Sequence, residues 1–142
     1  MGKNADAVRA IEEAWDGGRL DELDLYFASG FDNSASATPG LPPGLEGSKM
    51  AHMGVMQSFP DRKVEILDIL EQGDKVFVHT RVTGTNQGGF APFNVPANGN
   101  TFQIDSVSVY RFDQDGKVVE HWGMNDGLTL LMQLGALAPP GS

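Results

Sequence analysis

Proton transfer needs carboxylates or histidines held against apolar surface, and this 142-residue sequence offers them at a few points. Asp126 precedes Gly127-Leu128-Thr129-Leu130-Leu131 and follows Trp122. Shielding by Trp122, Leu128 and Leu131 would partly desolvate its carboxylate, raising the pKa and making it a usable base toward an activated carbon acid. The same aspartate, placed just before a helical segment, is also an ordinary helix N-cap. Asp105 and Gln103 lie two apart on a β-rich segment and project from one face, which Val107 and Val109 continue. Two polar groups among apolar ones suit a pocket for a mostly apolar ligand. The opposite face, with Phe102, Ile104 and Tyr110, is apolar too, so the pattern leaves open which side is the interior. His79 and Arg81 share one face of another strand, read first as a surface pair with an acidic neighbour and second as donors toward a ligand.

Other chemistries have little to work with. The chain has no cysteine, which excludes disulfides, thiol catalysis and Cys-ligated zinc. Its histidines, at 52, 79 and 121, lack the i, i+4 spacing of a metal-binding helix, so no metal site is expected. His52 stands among Met50, Met53 and Met56, a composition suited to an adaptable apolar wall as well as to ordinary core. Trp122 shares a strand face with Val118 and Glu120, while His121 points the other way, toward structure or solvent. Candidate ligand contacts are therefore Trp15, His52, Met53, Phe59 and Trp122 for apolar lining, and Asn33, His79, Arg81, Asn86 and Gln103 for polar recognition. Asp126 and Asp105 are the candidate catalytic residues.

These residues need elements to hold them. Val8, Ile11 and Trp15 recur at helical spacing between Asn4 and Asp16, and Leu20, Leu23 and Phe27 repeat it, which predicts a helical pair over 4–16 and 20–28. Residues 29–47 are rich in Gly, Pro, Ser and Asn and read as a covering loop. Ser48 is an N-cap candidate for a third helix ending at Ser58 before Phe59-Pro60. Four β-branched and aromatic segments follow, 64–70, 76–82, 102–112 and 117–122, divided by Gly73-Asp74 and Asp115-Gly116 turns, and a last helix spans 127–134. Helices first and strands after, with no β-α-β alternation, predict an α+β fold: a curved antiparallel sheet packed on helices around an apolar pocket. A length of 142 residues fits one domain. Nineteen acidic against ten basic residues give a net charge of −9, which disfavours nucleic-acid and anionic-membrane partners. The first residues lack an apolar leader and no stretch matches a membrane span, which points to a cytoplasmic protein.

Gly44-Leu45-Glu46-Gly47, Ser58-Phe59-Pro60-Asp61, Gly73-Asp74-Lys75-Val76, Gly84-Thr85-Asn86-Gln87-Gly88, the run from Asp115 to Trp122, and Asp126 with Gln133-Leu134-Gly135 stand in one order. That ordered set, over about residues 5 to 137, resembles the SnoaL-like polyketide cyclases of the nuclear-transport-factor-2-like superfamily. The resemblance implies an NTF2-like α+β cone, usually oligomeric, and a cofactor-free intramolecular aldol ring closure in which an aspartate matching Asp126 serves as acid and base. Two positions depart from the family pattern: Asn86 and Asn33 stand where histidines are common, and Asn cannot titrate.

The expectation is thus a cyclase-like enzyme, without cofactor or metal, acting on a small apolar carbonyl or polyketide-like molecule as a homodimer or larger homo-oligomer. Two alternatives remain. One is epoxide opening in the manner of limonene-epoxide hydrolases, for which Asp105, Asp126 and Arg81 supply the residue types. The other is a ligand-binding or dimerisation module without chemistry, which the loss of histidine at Asn33 and Asn86 favours.

Overall fold

The computed structural model describes residues 2–33, 39–138 and 140–141. Helix α1 (Lys3–Asp16) buries Ala5, Val8, Ile11 and Ala14, a stripe of residues three apart. Its N-terminus has no cap of its own. Glu71 supplies one from the sheet, its Oε1 accepting from the Ala5 N–H at 2.7 Å. This satisfies one of the orphan donors of the first turn and places a carboxylate at the positive end of the helix.

The expected second helix is shorter than its spacing suggests. Leu20–Leu25 forms a 3-10 helix, and Phe27–Asp32 becomes strand β1. A six-residue segment gains little from helical cooperativity. The sheet edge offers partners instead: the Val118 N–H donates to the Tyr26 carbonyl at 2.8 Å, and Phe27 and Phe31 pack edge-to-face at 4.7 Å in the core. Helix α2 (Gly44–Ser58) begins four residues before the expected cap at Ser48, inside the expected loop. Asn33, at the end of β1, explains the earlier start, because its Oδ1 accepts from the Gly44 N–H at 3.0 Å. Ser48 lies within the helix and receives a bond from Asn33 Nδ2 at 3.2 Å.

Strands β2 (Lys63–Gln72), β3 (Lys75–Thr85), β4 (Thr101–Phe112) and β5 (Val118–Asn125) follow, and helix α3 (Gly127–Gln133) closes the sequence of elements. The sheet order is β1-β5-β4-β3-β2; β1 runs parallel to β5 and the other neighbours are antiparallel. The tight β2–β3 turn places Gly73 at a φ of 60°, where a side chain would be strained. Register shifts between Ile66 and Asp68 on β2, and between Arg111 and Phe112 on β4, mark irregularities of the kind that bend a strand. The resulting curved sheet is that of the NTF2-like fold.

Alternation decides what each strand sends inward. Val76, Val78, Thr80 and Val82 of β3, and Phe102, Ile104, Tyr110 and Phe112 of β4, are buried. One apolar cluster packs α1 on one end of the strands, around Ile11, Phe27, Ile69, Val78, Phe112 and Val118. A second gathers Phe59, Val82, Phe102, Ile104 and Leu134 at the other end. No described helix is long and apolar enough to cross a membrane.

Candidate active site

Between the helices and the concave face of the sheet lies a cavity of about 410 Å³, within the size range of small-molecule sites. Apolar walls come from Trp15 of α1, Phe27 and Phe31 of β1, Val55 of α2, Val64 of β2 and Val82 of β3. Polar groups enter from three sides. Helix α1 contributes Glu12, which stands at i+4 from Val8 and therefore on the buried stripe. Helix α2 contributes His52, and the turn into β2 contributes Arg62. The inward positions of β4 and β5 contribute Ser106, Ser108, Tyr110, His121 and Asn125.

Glu12 and Tyr110 form the centre of this set. The Tyr110 hydroxyl donates to Glu12 Oε1 at 2.8 Å, joining α1 to β4. Burial pushes the Glu12 carboxyl above its ordinary pKa, against the opposing pull of that hydrogen bond and of the Arg62 charge. Burial, reinforced by the Glu12 charge, raises the phenol well above its usual value, so the proton stays on Tyr110. The pair is therefore a carboxylate of increased basicity held by a fixed neutral donor.

Both cavity histidines are biased toward the neutral form. Burial takes His121 down to about 4, and its ring lies 4.7 Å from that of Tyr110. Burial also lowers His52, with the Arg62 charge adding to it. His52 Nε2 lies 2.8 Å from the Trp15 carbonyl oxygen, which can only accept, so Nε2 carries the proton and Nδ1 is the acceptor of the neutral ring. Across the cavity, Ser106 Oγ donates to Asn125 Oδ1 at 2.7 Å, which leaves the Asn125 amide N–H groups as donors. Gly123 keeps this wall open: a Cβ there would approach a His121 ring carbon to 3.2 Å and Ser108 Oγ to 3.6 Å.

Of the expected ligand contacts, Trp15 and His52 line the cavity. The face of β4 left open by the sequence resolves the other way for Gln103 and Asp105: Ser106, Ser108 and Tyr110 point in, so the odd-numbered residues point out. His79 and Arg81 share that convex face. Arg81 pairs in register with Asp105; the Asp105 carboxylate is hydrogen-bonded to His79 Nε2 at 2.8 Å and forms an ion pair with Arg81, Nε lying 3.5 Å from Oδ1. The His79 hydrogen bond is the largest influence holding the exposed Asp105 carboxyl below its usual range. Trp122 lies on the same outer face, and Met53 is exposed on α2.

Asn33 and Asn86 are buried and structural. Asn33 holds the start of α2 through Gly44 and Ser48. Asn86 clamps the loop before β4, donating to the Pro96 carbonyl and Asn98 Oδ1 at 3.0 Å each and accepting from the Gly89 N–H at 2.9 Å. Phe59 packs between Phe90 and Phe102 in the second core cluster. Asp126 is exposed and caps α3, with Thr129 N at 3.2 Å from Oδ1 and Thr129 Oγ1 at 2.7 Å from Oδ2. It is not among the cavity-lining residues. His121, read from sequence as structural or solvent-facing, lines the cavity instead.

Glu12, Arg62, Tyr110, Ser106, Ser108 and Asn125 were not singled out by the sequence reading. Glu12 had a usable signal, a carboxylate at position i+4 of an apolar stripe; the others depend on which face of each strand turns inward. Among the described residues no group of three His, Cys, Asp or Glu side chains could hold a metal ion.

No curated protein sequence matches the chain. Solved structures do. IdmH from Streptomyces antibioticus is 29% identical over 94% of this chain and 99% of that one, with a TM-score of 0.78. TsrD from Streptomyces laurentii is 23% identical over 96% of this chain and 99% of that one, with a TM-score of 0.81. A SnoaL-like polyketide cyclase from Agrobacterium tumefaciens is 21% identical over 95% and 100%, with a TM-score of 0.76. The last two likenesses concern the fold alone. The sequence profile of the SnoaL-like polyketide cyclases matches residues 5–134. With that profile spanning nearly the whole described fold, the chain belongs to the SnoaL-like polyketide cyclase family.

Proposed function

We propose that the chain closes a ring in a small carbonyl compound by acid/base catalysis inside the concave cavity, without a cofactor. The observation that carries this reading is the Glu12–Tyr110 pair, a carboxylate of raised pKa bonded to a phenol on the wall of a cavity lined by both polar and apolar groups. A base is most useful when its pKa approaches the working pH, and desolvation moves Glu12 in that direction.

Glu12 takes a proton from the carbon between two carbonyl groups. The enolate carbon attacks a second carbonyl of the same molecule, and the resulting alkoxide recovers the proton from Glu12. Bonds and charge balance, and no oxidant or reductant enters. Ser108, beside Tyr110 on β4, and Asn125 of the neighbouring β5 supply neutral donors toward the developing oxyanion. The enclosing walls hold the chain of the substrate folded, which converts ring closure into a reaction of positioned groups. In this reading Asp126 and Asp105 remain outside the chemistry. The epoxide-opening alternative draws no support, because Asp105, Arg81 and Asp126 are absent from the cavity lining.

The test is turnover of a cyclisable β-dicarbonyl ester by the wild-type protein and by Glu12→Gln. A loss of about 10²–10⁴-fold in kcat, with ligand binding retained, is expected. Full activity in Glu12→Gln would remove Glu12 from the mechanism. No rate above buffer for the wild type across a set of such esters would leave the cavity as a binding site only.

A further inference from the structure

Among the described residues, Arg62 is the one permanent positive charge on the cavity wall, and the acid/base reading does not use it. Its backbone N–H donates to the Phe59 carbonyl at 3.0 Å, which fixes the turn between α2 and β2 and aims the side chain inward. Each nearby carboxylate is engaged elsewhere. Asp61, its sequence neighbour, accepts from Thr85 N at 2.8 Å and Thr85 Oγ1 at 2.7 Å on the outside of the sheet. Asp16 Oδ1 accepts from the Val64 N–H at 3.0 Å, and Glu12 Oε1 holds Tyr110. Among the described residues, the Arg62 guanidinium makes no hydrogen bond and no ion pair, although it feels the charges of Asp16 and Glu12.

An arginine cannot escape partial burial by losing its proton, so this half-buried side chain keeps its charge and five donors on the cavity wall. With no protein partner among the described residues, those donors are open to a ligand. A planar fork of donors matches the two oxygens of a carboxylate. We propose that the cavity binds a ligand carrying a carboxylate, received by Arg62, with its ring system against Trp15, Phe27 and Phe31. The inference rests on the cavity being the ligand site, as the proposed function does, but it does not require turnover there.

Binding of two isosteric probes separates the two ideas. 2-Naphthoate and 2-naphthamide have the same shape and differ in charge, and calorimetric titration near neutral pH gives a Kd for each. The wild-type protein is expected to prefer naphthoate by about tenfold or more, the range of a charge-assisted hydrogen-bonded pair. In Arg62→Met the preference should vanish while naphthamide binds as before; Arg62→Lys should restore part of it. Because loss of Arg62 could disturb folding, the Nε–Hε resonance of Arg62 is followed in the wild-type protein and should shift with naphthoate but not with naphthamide. Equal affinity for the two probes, a preference that survives in Arg62→Met, a silent Arg62 resonance, or no binding of either probe would each overturn the proposal. Carboxylate preference without turnover of any ester would sink the catalytic reading alone.

Discussion

The hydroxyl of Tyr110 on β4 meets Glu12 Oε1 on α1 at 2.8 Å, so the tie between helix and sheet and the most basic carboxylate of the cavity are one hydrogen bond. Stability and chemistry are coupled through it, with opposite pH signs. Glu12 has a folded pKa above its unfolded value, so the folded state binds more protons between those two values. Stability therefore falls as pH rises through that window. Glu12→Gln keeps an acceptor for Tyr110 and removes the buried charge. We expect its melting temperature to exceed that of the wild type at neutral pH and to match it below about pH 4, where both residues are neutral in both states. Thermal melts across that range check this, and a variant less stable at neutral pH would contradict it.

His121 gives the reverse dependence. Its folded pKa is pushed down to about 4 from 6.5, so the unfolded chain binds the proton more readily. The neutral ring's contribution is whole above about pH 6.5 and disappears as pH falls toward 4, at most on the order of 3 kcal/mol. His121→Gln should flatten that part of the acid limb while changing neutral stability much less. Denaturant titrations at several pH values measure it, and an unchanged acid limb would show that His121 is accessible to protons in the folded state.

The long antiparallel strands and their turns were readable because alternation runs for eight residues or more and Gly marks the hairpins. Strand β1 was not, since Phe27 to Asp32 has helical spacing to its left and contains Ser29-Gly30, and its pairing to β5 depends on residues almost a hundred positions away. The site suffered from a different ambiguity. On β4 both faces carry apolar residues, and only the contact of Tyr110 with Glu12 and of Phe102 and Ile104 with the core separates inside from outside. Asp105 and Gln103 attracted attention as polar groups among valines, yet those valines belong to the convex face.

That convex face leads to an expectation about assembly. Leu70, Phe77, Val109 and Trp122 are successive register partners across β2, β3, β4 and β5, forming one apolar row. Leu70 is 56% exposed and Met124, near the end of the row, 74%. A contiguous apolar patch of this kind favours association, and a second copy can present the same row about a two-fold axis. We expect a homodimer at micromolar concentration, with Phe77→Lys and Trp122→Glu shifting the protein to monomer. Sedimentation velocity reads the outcome; a monomeric wild type would refute the assembly.

Asp126 separates a structural role from a chemical one. Its two carboxylate oxygens engage Thr129 N and Thr129 Oγ1 at the first turn of α3, and its side chain is exposed. A cap of this type contributes about 0.5–2 kcal/mol when compared with alanine, and asparagine replaces it at little cost. Asp126→Ala should therefore lower stability by that amount, whereas Asp126→Asn should melt close to the wild type. Turnover per folded molecule should be unchanged in both, because neither substitution reaches Glu12 or the cavity wall. Denaturant melts and single-ester kinetics on the same preparations compare the two effects. If a stable Asp126→Asn protein lost turnover by about 10²-fold or more, a proton-transferring aspartate would be required and the capping geometry would have to give way during the reaction.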